Sequence, residues 1–149
     1  MVLGLYLSHA QRAAGEPLGV AVAVHIQPEY HLYGPPESGD PVVQATSVKL
    51  LTGPNVVAPA WQLPSGKTEL DVVLDSQVTT YSGTIWFYLP ARIAENVPRG
   101  KLDVRIELNY QACDQDRCLQ PKTIELSAPL IISETTDAPG QHAAVFDQW

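Results

Sequence analysis

Hydrophobic and polar residues alternate with a period of two along most of this chain. The alternation is clearest in residues 101–113 (KLDVRIELNYQAC), where every second residue from Leu102 to Tyr110 is apolar and the residues between them are polar. Residues 19–26 (GVAVAVHI), 83–89 (GTIWFYL) and 123–132 (TIELSAPLII) show the same spacing. Because successive side chains of a strand point to opposite faces, this spacing predicts half-buried β-strands.

Three weaker segments, residues 2–8, 45–51 and 70–75, also have strand character, and clusters of Gly, Pro, Ser and Asn separate the predicted strands. Such clusters are typical of turns. About seven short strands at this spacing predict an all-β fold, a single antiparallel β-sandwich domain over residues 1–132. Residues 133–149 are predicted to be a C-terminal tail or linker, with a short helix in GQHAAVFDQW.

Composition and charge narrow the classes of function. The 149 residues carry a formal net charge of −7 and are 45% hydrophobic, which is ordinary for a globular domain. Nucleic acids and anionic membrane surfaces both require a basic face, so neither is an expected partner. No apolar run approaches the roughly 18 residues of a membrane span, and the opening MVLGLYL lacks the basic start of a signal peptide.

The two cysteines of the chain, Cys113 and Cys118, are separated by four residues in YQACDQDRCLQP, residues 110–121. Continued alternation would place Cys113 on the polar face of its strand, two residues after Gln111. The intervening DQDR is a polar loop, so the pair flanks a predicted hairpin turn. Directly opposed residues of antiparallel strands have Cα atoms about 4.5–5.5 Å apart, which suits a disulfide.

The spacing alone leaves several interpretations of the pair open. A purely structural disulfide would contribute only about 2 kcal/mol, because it closes a loop of about six residues, and a chain of this length does not need one to hold a core. Two free buried thiols conflict with the predicted polar position of Cys113. A zinc site is compatible with the spacing, but its other ligands would have to come from His25, His31 or His142, which have no recognisable spacing.

A redox-active pair is the fourth interpretation. One thiol must attack as a thiolate and the other must resolve the mixed disulfide, and a short surface loop keeps both sulfurs within reach of a partner. Arg117 precedes Cys118 and favours its thiolate, whereas Asp114 follows Cys113 and disfavours ionisation there. Local charge therefore predicts that Cys118 bonds the partner and that Cys113 resolves the mixed disulfide.

The cysteine segment resembles that of the N-terminal, periplasmic domain of the DsbD thiol:disulfide interchange proteins, with a tyrosine three residues before the first cysteine, a short loop, the second cysteine and a following proline. Residues 26–41 (IQPEYHLYGPPESGDP) are similar to the aromatic–His–Leu/Ile–Tyr segment of that family and the Gly-x-Pro turn after it. The matching residues are Tyr30, His31, Leu32, Tyr33, Gly39 and Pro41. Residues 81–90 (YSGTIWFYLP) match more weakly, and the resemblance covers roughly residues 2–132.

This resemblance implies an immunoglobulin-like sandwich in the periplasm or another extracytoplasmic compartment. It implies thiol:disulfide exchange with thioredoxin-like domains and disulfide-bonded protein substrates, with no cofactor and no metal. Cys113 and Cys118 would be the catalytic pair, and the second cysteine would bond the partner. The site would be lined by His31, Tyr33, Asp75 and Tyr81, together with Arg117.

The chain departs from the family pattern in three places. The spacer between the cysteines is one residue shorter than in the best-known members, and Leu119-Gln120-Pro121 follows Cys118 in place of two adjacent prolines. In the family, a cap loop places an acidic pair and an aromatic residue over the disulfide. The corresponding residues 70–82 (LDVVLDSQVTTYS) have Asp75 but no Phe before Tyr81, which leaves the shielding of the disulfide open.

The sequence therefore predicts a thiol:disulfide oxidoreductase domain that relays electrons in an extracytoplasmic reducing pathway. The alternative is a non-catalytic immunoglobulin-like binding module with a structural hairpin disulfide. A metal carrier is a third interpretation, and the single methionine, Met1, argues against a thioether copper site. Of the remaining residues, Tyr110 is predicted to lie in the core and His25 on the surface.

Overall fold

The computed structural model describes residues 1–35, 44–71, 76–134 and 139–149, and within these ranges it is built almost entirely of β-strands. In chain order these are β1 (Val2–Leu7), β2 (Gln11–Arg12), β3 (Pro17–His25), β4 (Leu32–Tyr33), β5 (Ser47–Leu50), β6 (Val56–Val57), β7 (Lys67–Asp71), β8 (Ser76–Tyr81), β9 (Thr84–Ile93), β10 (Gly100–Tyr110) and β11 (Lys122–Ile132). A 3₁₀ turn at Gly53–Asn55 follows β5, and a short helix, α1 (Ala143–Phe146), lies near the C-terminus.

The described strands form two four-stranded sheets and a smaller third one. The first sheet has the order β1-β3-β9-β6 and the second has the order β2-β11-β10-β5. Their neighbouring strands pair antiparallel, except for the short β2, which pairs parallel with β11. The third sheet has the order β4-β8-β7 and is antiparallel throughout. The predicted all-β fold, an immunoglobulin-like sandwich, is confirmed.

Period-two alternation determines which side chains enter the core between the first two sheets. Val20, Val22 and Val24 of β3 are fully buried, whereas His25 is exposed and bonds Thr84 through its ring. The alternate apolar residues of β9 and β10 are buried in the same way, and they meet those of β3 in two adjoining clusters. The predictions of a core Tyr110 and a surface His25 are confirmed.

The structure differs from the expected strands in the segment before Tyr81. A strand was expected over residues 70–75, but the observed β7 begins earlier and ends at Asp71, and residues 72–75 lie outside the described residues. The next strand, β8, was not expected because its sequence SQVTTY is largely polar. The two-residue strands β2, β4 and β6 are too short to carry a periodic signal.

The C-terminal residues pack back against the outer side of the first sheet. The Gln141 N–H donates to the Ser8 carbonyl at 2.7 Å, and the Trp149 ring stacks on Tyr88 with centroids 4.5 Å apart. A Cβ atom at Gly19 would lie 2.9 Å from the Phe146 ring, so the glycine permits this close approach. The short helix predicted in this segment is confirmed, while the boundary at residue 132 stays a prediction.

Candidate functional site

Cys113 and Cys118 form a disulfide in the loop that joins β10 to β11. The two strands are paired up to Tyr110 and Lys122. Beyond that point the two cysteines face each other as an isolated antiparallel pair, with Cα atoms 4.0 Å apart. The expected geometry of directly opposed cysteines on a hairpin loop is therefore confirmed, and neither cysteine is a free thiol.

The two cysteines of the bond differ in exposure. Cys113 is 1% exposed, whereas Cys118 is exposed. The expectation that Cys113 continues the polar face of its strand is therefore wrong. Regular pairing of β10 ends at Tyr110. Beyond it, Cys113 pairs with His31 on one side and with Cys118 on the other, and Ala112 and Cys113 are both buried. Cys118 is therefore the more exposed residue of the pair.

Asp114 organises the four-residue loop between the cysteines. Its Oδ1 accepts hydrogen bonds from the N–H groups of Asp116 and Arg117, both at 2.8 Å, and its own N–H donates to the Arg117 carbonyl. The bonds from the Arg117 and Asp116 backbone lower the pKa of the Asp114 carboxyl. Since the folded-state pKa is lowered, this contribution to loop stability is present above the unfolded pKa and is lost as the pH falls through the lowered value.

Gln111 connects the cysteine loop to the segment before β5, a role that sequence patterns do not predict. Its Nε2 donates to the Leu119 carbonyl at 3.0 Å, and its Oε1 accepts from the Gln44 N–H at 2.9 Å. The Leu119 N–H donates to the Ala112 carbonyl. A glutamine next to a predicted loop is common, so no signal in the sequence distinguishes it.

His31 and Tyr33 lie next to the disulfide. The backbone of His31 pairs with that of Cys113 through two hydrogen bonds of 2.9 and 3.0 Å. The His31 Nε2 atom is 3.1 Å from Tyr33 Oη, and both side chains are half-buried. The structure thus brings together two of the predicted site segments, which lie far apart in the sequence.

The remaining predicted site residues lie in different surroundings. Tyr81 is 2% exposed, pairs with Leu32 and packs edge-on against Phe87, so its ring belongs to the core beneath the site. Burial raises the pKa of the Tyr81 phenol. The Arg117 side chain is exposed. Asp75, Gly39 and Pro41 lie outside the described residues.

Neither a metal site nor a membrane-spanning helix is found in the described residues. In residues 1–35, 44–71, 76–134 and 139–149, no group of three or more His, Cys, Asp or Glu residues is arranged to hold a metal ion. In the same ranges no helix has the length and apolar character required to cross a membrane.

Reducing the Cys113–Cys118 bond is expected to leave the sandwich folded and to lower the free energy of unfolding by at most about 2–3 kcal/mol. The bond closes only a short loop. The two core clusters are formed mainly by side chains of the strands, so most core contacts remain when the bond is reduced. Urea denaturation of the oxidised and reduced protein, followed by far-UV circular dichroism, measures the difference. Global unfolding on reduction would identify the bond as a structural one.

Comparison with known proteins agrees with this geometry. The family model of the N-terminal region of thiol:disulfide interchange protein DsbD matches residues 6–128. The reduced N-terminal domain of DsbD from Neisseria meningitidis is similar in structure, with a TM-score of 0.52 and 16% identity over 85% of each chain. No curated protein sequence matches.

The N-terminal periplasmic domain of ScsB from Proteus mirabilis is also similar, with a TM-score of 0.55 and 12% identity. That alignment covers 97% of this chain and 51% of the ScsB chain, so this chain spans about half the length of that relative. At such identities the two structures show a shared fold. Because the family match extends over most of the sequence, the chain belongs to the family of DsbD N-terminal domains.

Proposed function

We propose that this domain exchanges its disulfide with the cysteine pairs of thioredoxin-like protein partners and relays electrons in an extracytoplasmic reducing pathway. The observation that carries the proposal is the pairing of an exposed cysteine with a buried one in a short loop. Exchange requires one sulfur that a partner thiolate can reach and a second that leaves and later resolves the mixed disulfide. Cys118 suits the first role and Cys113 suits the second.

The surface around Cys118 supports contact with a protein partner. Leu119 follows the exposed cysteine and is itself exposed. It lines a cleft together with Tyr30, Tyr110 and Lys122. The lining of this cleft is part apolar and part polar, with Gln27 and Gln120 among its residues. Because Leu119 adjoins Cys118 in the chain, the cleft gives a partner a surface on which to dock while the sulfurs meet.

The proposed compartment follows from the chemistry and from the relatives. Disulfides persist in oxidising compartments such as the bacterial periplasm, and the ScsB relative is described as a periplasmic domain. An exchange domain in such a compartment works with a cysteine pair as its redox group. Its partners would be thioredoxin-like domains on one side and disulfide-bonded protein substrates on the other.

The reduction potential of the Cys113–Cys118 pair tests the proposal. We expect a value above about −300 mV, because structural disulfides typically lie below that value and exchangeable ones lie above it. Equilibration of the domain with dithiothreitol redox buffers, with alkylation and mass spectrometry to count free thiols, gives the potential. A value well below this limit would favour a non-catalytic binding module with a structural disulfide.

A further inference from the structure

His31 is the residue whose backbone pairs with that of the buried Cys113. Because His31 and Cys113 exchange both backbone N–H···O bonds, they form a directly opposed antiparallel pair. Side chains of such a pair lie on the same face, with Cβ atoms about 4.5–5.5 Å apart. Cys118 pairs with Cys113 from the other side. His31 and Cys118 therefore flank Cys113 as its two backbone neighbours.

The imidazole ring is held in a fixed orientation. Its Nε2 lies 3.1 Å from Tyr33 Oη, and its ring packs edge-on against Tyr33 with centroids 5.1 Å apart. Tyr33 follows two residues after His31 and lies in β4, which pairs with β8. Tyr33 thus holds the ring in place at the position where the backbone of His31 pairs with Cys113.

Several charged or titratable groups face this ring. The Asp114 carboxylate, from the cysteine loop, lies within electrostatic range of His31 and of Arg117. Glu29 and Asp116 line the same cleft as Asp114. The acidic groups in this region thus come from the cysteine loop and from the turn that precedes His31.

The buried Cys113 is the sulfur that needs a proton partner during exchange. When a thiolate attacks Cys118, the Cys113–Cys118 bond breaks and its electron pair goes to the Cys113 sulfur. Cys113 is 1% exposed, and burial in apolar surroundings disfavours a thiolate. A nearby proton donor relieves this penalty.

We infer, on the basis of the proposed exchange function, that His31 donates a proton to Cys113 and accepts it again. In the reducing direction, the imidazolium protonates Cys113 as the disulfide breaks, which leaves a thiol and a neutral imidazole that recovers a proton from water. In the opposite direction, the neutral imidazole removes the thiol proton. The Cys113 thiolate then attacks the sulfur of Cys118 in the mixed disulfide and releases the thiolate of the partner.

The test uses dithiothreitol as the attacking dithiol, so that no protein partner is required. Reduction of the oxidised domain is followed by quenching and alkylation between about pH 5 and 8, the range in which imidazoles titrate, and each rate is divided by the dithiothreitol thiolate concentration. For the wild type this corrected rate constant should rise as the pH falls. For His31→Gln the corrected rate constant should not change with pH, and near pH 6 it should be about tenfold lower than that of the wild type. This factor is smaller than the usual rate enhancement by a general acid, because a thiolate is already a good leaving group.

His25→Gln is the matched control, because His25 is exposed and bonds Thr84 on the first sheet. It should keep the wild-type profile. If the corrected rate constant of His31→Gln still rises as the pH falls, the inference is overturned. A corrected rate constant of the wild type that does not change with pH would also overturn it, and that measurement depends on no variant. If the wild type shows the slope but no thioredoxin-like protein reacts, the proposed function fails while the role of His31 stands.

Discussion

Cys113→Ser is expected to form a stable mixed disulfide with a thioredoxin-like protein that lacks its own resolving cysteine, and Cys118→Ser is expected not to. The reason is access, because Cys118 is exposed whereas Cys113 is 1% exposed. If exposure of Cys113 requires local opening by about 3 kcal/mol, its reaction is slower on the order of 100-fold. The resemblance to the family independently assigns the partner bond to the second cysteine.

The measurement starts from each single-cysteine variant activated as its mixed disulfide with thionitrobenzoate. Attack by the thiol of the partner releases the coloured thionitrobenzoate anion, and non-reducing gel electrophoresis shows the covalent complex. A variant with both cysteines replaced by serine controls for non-covalent association. Trapping by Cys118→Ser alone would reverse the two roles. Trapping by neither variant would count against the exchange function and favour the binding module.

Phe87→Ala is expected to lower the free energy of unfolding by about 3–5 kcal/mol, the usual range for a fully buried phenylalanine. Phe87 belongs to β9, and its side chain is 0% exposed in the core between the first two sheets. Its ring packs edge-on against that of Tyr81, with centroids 6.4 Å apart. Typical domains have only about 5–15 kcal/mol of stability in total. The loss is therefore expected to bring the protein close to unfolding.

Phe146, the second of the two phenylalanines of the chain, provides the matched control. It is half-buried in α1 and contacts Tyr88 and Trp149 at ring distances of 6.2 and 6.1 Å. Phe146→Ala is expected to remove about 1 kcal/mol, the size of an aromatic contact at a partly exposed site. Urea denaturation followed by far-UV circular dichroism compares the two variants. Equal losses would contradict the assignment of the core to the space between the first two sheets.

The long strands could be predicted because each has one buried face. Alternation in β3, β9 and β10 places Val22, Phe87 and Ile106 on core-facing positions, and a shift of one residue would expose all of them. The third sheet could not be predicted in the same way. Its middle strand, β8, is largely polar and β4 has only two residues, so neither segment carries a periodic hydrophobic signal.

The cysteine pair was recognisable from its spacing, but its surroundings were not. The pairing of His31 with Cys113 uses backbone hydrogen bonds between distant segments, which leave no pattern in the side chains. A position of Cys113 on the polar face would require β10 to continue regularly to residue 113. Regular pairing ends at Tyr110, and beyond that point the alternation of a strand no longer determines the direction of a side chain.

The packing of the C-terminal segment affects how the domain would have to be excised for study. The family match ends at residue 128, yet Trp149 stacks on Tyr88 and meets Trp86 edge-on. A fragment cut at the family boundary would expose these aromatic rings to water, and a contiguous apolar patch of that kind favours self-association. The family match thus ends before the C-terminal residues that cover the outer side of the first sheet.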